Sequence, residues 1–107
     1  MISTHILDTS LGNPAAGVTV QLEKQGNEMW QKIDEQRTNG DGRIVFNCPQ
    51  EAGNYRLIFF VEDYFQLAKQ ESFFLNTPVA FKITNTQRKY HVPLLLNPFG
   101  FSTYRGS

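Results

Sequence analysis

Apolar and polar positions along this chain alternate in short runs cut by turn chemistry, with almost no helical periodicity. Ile2 to Asp8 alternates loosely and fits a first strand. Leu11-Gly12-Asn13-Pro14-Ala15-Ala16-Gly17 is a turn segment, and Val18 to Glu23 then alternates with period 2, the mark of a half-buried strand. Trp30 to Thr38 is more polar and predicts an exposed strand. Thr38-Asn39-Gly40-Asp41-Gly42 places Asn-Gly beside Asp-Gly, a dense turn signal, and leads into a short strand, Arg43 to Phe46. Tyr55 to Val61 is a strong β segment. Glu62 to Gln70 is the one helical stretch, with Phe65, Ala68 and Lys69 at helical spacing. Val79 to Ile83 alternates again. Lys89 to Leu96 is a long strand whose Pro93 cannot donate to a ladder, which predicts an edge position or a bulge. Asn97-Pro98-Phe99-Gly100 turns into a last strand, Phe101 to Arg105.

Seven or eight short strands and one brief helix predict an all-β, two-sheet sandwich. Its sheets are expected to be antiparallel, because the connections are too short for helical crossovers. The 107 residues fit a single domain, 1–107, with no repeat or linker. A chain this size buries only roughly 60–70% of its unfolded surface, so association would add welcome burial.

Composition removes several function classes. Ten basic and ten acidic residues cancel, so no net charge draws the chain to nucleic acid or a membrane. No apolar run approaches the ~20 residues of a membrane span. The start, Met1 to His5, has no basic region followed by an apolar stretch. A cytoplasmic location is therefore expected, periplasmic only if a presequence was removed. Cys48 is the one cysteine and reads as a small buried hydrophobe. Two histidines with no Cys-x-x-Cys or acidic cluster make a poor ligand set, so neither a metal nor another cofactor is expected.

Chemistry concentrates in three places. His5 lies in Ser3-Thr4-His5-Ile6-Leu7-Asp8-Thr9-Ser10-Leu11-Gly12, and Arg43 closes Thr38-Asn39-Gly40-Asp41-Gly42-Arg43. His91 opens His91-Val92-Pro93-Leu94-Leu95-Leu96, and the sequence ends Tyr104-Arg105-Gly106-Ser107, more chemistry than a solvated tail needs. Alone, a strand histidine is more often a hydrogen-bonded structural residue than a catalyst, and Arg43 could be a solvated hairpin arginine. Together and in this order, the three motifs resemble the transthyretin-related family, specifically its 5-hydroxyisourate hydrolase branch, over essentially the whole chain.

The resemblance implies a transthyretin-like sandwich of two four-stranded sheets, with a short helix after the fifth strand. It implies hydrolysis of 5-hydroxyisourate to 2-oxo-4-hydroxy-4-carboxy-5-ureidoimidazoline in urate degradation, without metal. It also implies a pocket lined by His5, Arg43, His91, Tyr104, Arg105 and Ser107. Histidine, with an unperturbed pKa of ~6.5, suits the base that activates water. A nearby guanidinium would keep the imidazole neutral, and Arg43 and Arg105 can hold carbonyls with paired donors. In this scheme His91 with Ser107 activates water, His5 serves the leaving nitrogen, Arg43 polarises the carbonyl, and Tyr104 stacks on or donates to the substrate. Where many members read His-Tyr-His, this chain reads Lys89-Tyr90-His91, and strand alternation puts Lys89 on the side of His91. Asn97 and Phe101 replace a commoner Ser and Tyr.

The family assembles as a homotetramer, a dimer of dimers with its pockets in a channel. Tyr90 to Leu96 is apolar on both faces, which an isolated sandwich rarely manages at an edge. The rival reading is a non-enzymatic, transthyretin-like carrier of a small ligand. Such carriers lack both histidines and the Tyr-Arg-Gly-Ser ending. A non-catalytic adhesive module is a second rival, and fold alone cannot separate the three.

Overall fold

The computed structural model describes residues 1–107. Nine strands and one helix follow in the order β1 (Ile2–Asp8), β2 (Asn13–Pro14), β3 (Thr19–Gln25), β4 (Trp30–Arg37), β5 (Arg43–Val45), β6 (Gly53–Phe59), α1 (Val61–Leu67), β7 (Thr77–Ile83), β8 (Tyr90–Asn97) and β9 (Gly100–Thr103). They form a two-sheet sandwich. One sheet runs β4-β3-β6-β7, and the other runs β2-β1-β8-β9, with β5 also paired to β1. β2 and β5 share one edge of β1: Leu7 and Asp8 face β2, whereas Ser3 to His5 face β5. The extra strand relative to the expected eight is the two-residue β2, formed inside the Asn13-Pro14 turn.

Alternation decides what each strand buries. In β1, Ile2, Thr4, Ile6 and Asp8 point into the sandwich, while Ser3, His5 and Leu7 lie on the outer face. β8 buries Tyr90, Val92, Leu94 and Leu96. Opposite them lie Val20, Leu22, Tyr55, Leu57 and Phe59 from β3 and β6. The helix adds Val61 and Phe65, one turn apart on a single face.

One ladder departs from the antiparallel expectation. β1 and β8 pair in parallel over seven residues, from Ile2↔Tyr90 to Asp8↔Leu96. The short-connection argument fails here because the two strands are not joined locally: the chain builds the whole opposite sheet between them. The buried Thr4 hydroxyl donates to the Val92 carbonyl at 2.7 Å and fixes the register. This pairing brings the two ends of the sequence side by side.

Pro93 does not sit at an edge, since β8 runs between β1 and β9. Its carbonyl accepts the Thr103 hydroxyl at 2.7 Å, so its missing N–H is turned towards β9. There the β8–β9 ladder lapses after Leu94↔Thr103 and resumes as a single bridge, His91↔Gly106. The last strand therefore stops at Thr103 and not at Arg105.

Candidate active site

The outer face of the five-stranded sheet gathers the chemistry. β5 exposes Arg43 and Val45 and buries Ile44. Arg43 lies directly opposite His5 in the antiparallel register. Facing pairs of this kind have Cβ atoms about 4.5–5.5 Å apart, within side-chain reach. On the other flank of β1, Ser3 is the register partner of His91 and His5 that of Pro93.

Arg43 owes its place to the turn before it. The Asn39 side-chain oxygen accepts the N–H groups of Asp41 and Arg43, at 2.9 and 3.0 Å. The Asn39 backbone donates to the Arg43 carbonyl and accepts from Gly42. Gly42 has φ +74°, and a Cβ there would stand 2.6 Å from the Ile6 carbonyl oxygen. That oxygen belongs to β1, so the glycine lets the turn close onto the strand that carries His5.

His91 is held on two sides. Its Nδ1 lies 2.8 Å from the Ser3 hydroxyl. Gly106 donates its N–H to the His91 carbonyl at 2.8 Å and approaches the ring closely. A Cβ on Gly106 would come within 2.7 Å of the His91 Cδ2. This is where the tail motif needs a glycine. Burial, then the Arg43 guanidinium and His5, hold the His91 pKa below the ordinary 6.5. The lowered pKa favours the neutral, proton-accepting form of the imidazole.

A cleft of about 240 Å³ opens here, walled by Ser3, Thr4, Arg43, Lys89, His91 and Ser107 among others. Lys89 and His91 share it, as alternation along the strand requires. The His5 ring is half-buried beside it, on the same outer face, and makes no hydrogen bond within the chain. Tyr104 and Arg105 are not brought to this cleft. They line a different hollow of about 400 Å³, together with Phe81, Lys82, Arg88 and Tyr90. The chain gathers no group of three or more His, Cys, Asp or Glu side chains that could hold a metal ion. No helix is long and apolar enough to cross a membrane. Of the residues expected from the sequence, Arg43, His91 and Ser107 share this cleft; Ser3 had no expected role, because nothing local signals a bond between residues 88 positions apart.

The site can supply a neutral base, a second imidazole, a guanidinium and two hydroxyls around one small opening, a set suited to adding water to a carbonyl. Comparison with known proteins points the same way. A 5-hydroxyisourate hydrolase of Salmonella typhi is 46% identical over 110 residues, covering 100% of this chain and 81% of its own length. The structure of Klebsiella pneumoniae 5-hydroxyisourate hydrolase matches with a TM-score of 0.87 at 41% identity, over 99% of this chain and 98% of that one. Sea bream transthyretin in complex with thyroxine matches with a TM-score of 0.91 at 27% identity, over 98% of this chain and 93% of that one. The family model described as HIUase/Transthyretin matches residues 2–106, and the chain belongs to the HIUase/Transthyretin family.

Proposed function

We propose that this chain, acting as one domain, is a 5-hydroxyisourate hydrolase of urate degradation. The observation that carries the proposal is the placement of His91 in one cleft with Arg43 and Ser107, with His5 paired to Arg43 beside it; burial and Arg43 lower the His91 pKa, which favours its basic form. Identity of 41–46% to hydrolases, against 27% to a transthyretin, supports an enzyme over a carrier. A polar, cationic cleft also fits an electron-rich ring better than an apolar hormone.

The proposed reaction follows from the placement of these groups. Water beside His91 gives a proton to the imidazole, and its oxygen bonds to the ring carbonyl carbon. Arg43 stabilises the developing oxyanion with planar donors. The carbon–nitrogen bond then breaks, and the departing nitrogen takes a proton from His5. The carbonyl carbon becomes the carboxylate of the opened product, its acid proton restores His5, and His91 returns the proton it took from water to solvent. Ser107 helps to orient the water. A positioned base of this kind contributes about 10²–10⁴-fold.

Tyr104 and Arg105 stand outside the cleft of one chain, so their proposed contact with substrate falls to an assembly whose copies share a channel. We take that assembly to be a homotetramer. Phe73, Leu75 and Phe99 are well exposed, and Phe73, Phe74 and Phe101 pack edge to face in a surface row. An exposed apolar cluster of this kind marks an association surface. The ultraviolet decay of freshly generated 5-hydroxyisourate tests the function. Catalytic amounts of the chain should accelerate it by orders of magnitude, and decay at the buffer rate would favour a carrier.

A further inference from the structure

We infer that Ser3 is a positioning residue for the hydrolytic site: its hydroxyl accepts the Nδ1–H of His91 and so leaves Nε2 as the proton acceptor. This deepens the hydrolase reading and rests on it for its catalytic meaning.

The geometry comes from the parallel β1–β8 ladder. Ser3 and His91 are register partners on the outer face, and their Oγ and Nδ1 are 2.8 Å apart. Nε2 has no hydrogen-bond partner within the chain, so Ser3 is the one side chain that fixes the ring edge. Gly106 closes the ring face, with no room for a Cβ beside Cδ2. The imidazole therefore has one orientation.

A neutral imidazole carries one proton, and the bond made by one nitrogen decides which nitrogen holds it. Two arrangements are possible here. Ser3 could donate to Nδ1, leaving an Nε2–H, or Ser3 could accept from Nδ1–H, leaving a lone pair on Nε2. The charged side chains on the cleft wall, Arg43 and Lys89, are both cations. A lone pair facing cations is electrostatically favoured, whereas an N–H dipole facing them is not. The wall thus selects the Nδ1–H form, the one a general base requires. A hydroxyl suits the partner role because it stays neutral. A carboxylate in its place would raise the imidazole pKa and leave the base protonated at lower pH.

Nitrogen-15 spectra of the His91 ring at pH 8, for the wild-type chain, Ser3→Ala and Ser3→Thr, test this without turnover. The wild type and Ser3→Thr should show the Nδ1–H tautomer, and Ser3→Ala a mixture. On 5-hydroxyisourate, Ser3→Ala should lose about five- to tenfold in kcat, the worth of one neutral hydrogen bond. Its KM should hold within about twofold, and its thermal midpoint should fall by only a few degrees, the effect of one part-buried hydrogen bond. Ser3→Thr should restore kcat. An Nε2–H tautomer in the wild type would overturn the inference. So would a Ser3→Ala variant with unchanged tautomer and kcat. A wild-type chain inert towards 5-hydroxyisourate would instead end the hydrolase reading, while the same spectra still decide the role of Ser3.

Discussion

Around His91, burial and charge act in the same direction. Burial disfavours the imidazolium, and the positive Arg43 adds to the effect. The folded-state pKa is therefore below 6.5, and at a given pH the ring is neutral more often than a free histidine. The acid limb of kcat/KM should accordingly have its midpoint below pH 6.5. Arg43→Gln removes the guanidinium that lowers the His91 pKa, so an NMR titration of His91 in that variant should give a higher midpoint than in the wild type. An unchanged or lower midpoint would contradict the charge argument. The same shift bears on stability. Because the unfolded chain binds this proton more readily, the cost of keeping His91 neutral sets in as pH falls below 6.5 and is complete below the folded pKa. Of the six expected site residues, Arg43, His91 and Ser107 line one cleft and His5 pairs with Arg43 beside it; their proximity was legible because each lies in a motif with local logic: a strand alternation, a turn, a tail. Tyr104 and Arg105 were placed by the same motif but not by the fold. The proline opposite interrupts their ladder, so alternation no longer fixes their direction.

Among the elements, α1 shows how a short helix is held without a strong sequence signal. Its N-terminal residue, Phe60, offers no side-chain cap. Asn76 acts instead: its side-chain oxygen accepts the Glu62 N–H, while the Glu62 carboxylate accepts the Asn76 N–H at 3.0 Å. The C-terminus closes with the Gln70 N–H on the Phe65 carbonyl and the Lys69 N–H on that of Gln66, a Schellman arrangement. Lys69 pays for it with φ +54°, a conformation in which glycine is unstrained. Lys69→Gly should therefore raise the unfolding free energy by about 1 kcal/mol, measured by urea titration. A loss of stability would show that the αL strain is not the governing term. Tyr64 on this helix also donates to Asp8 at 2.7 Å. Burial pushes the Asp8 carboxyl up, but hydrogen bonds from Ser10, Tyr64 and Leu11 outweigh it and hold the pKa below 3.8. Burial, with Asp8 beside it, pushes the Tyr64 phenol up to about 12. This bond ties the helix of one sheet to β1 of the other and keeps the His5 strand in place. The helix itself was visible in the sequence, starting one residue late and running three past its end at Leu67, because the Lys69 turn carries no glycine to announce it. Most strands were legible to within a residue or two from alternation. The parallel β1–β8 pairing was not, since it joins strands far apart in the chain.

For the whole molecule, a net charge of zero and a row of exposed aromatics favour association. The chain should elute in light-scattering chromatography at four times the 12.2 kDa of one copy. Phe73→Glu, which places a charge in the aromatic row, should shift it towards smaller species and lower kcat/KM with them. A fully active monomer would separate catalysis from assembly and leave Tyr104 and Arg105 without a route to the substrate. The long-range parallel ladder joins the start of the chain to His91, and the turn before Arg43 docks onto the same strand, so a sandwich of ordinary core residues carries a polar cleft on its outer face. The comparison of His91→Asn with the wild type on freshly generated 5-hydroxyisourate tests this account most directly. Loss of the base should lower kcat/KM by about a hundredfold or more; a value within a factor of a few of the wild type would contradict it.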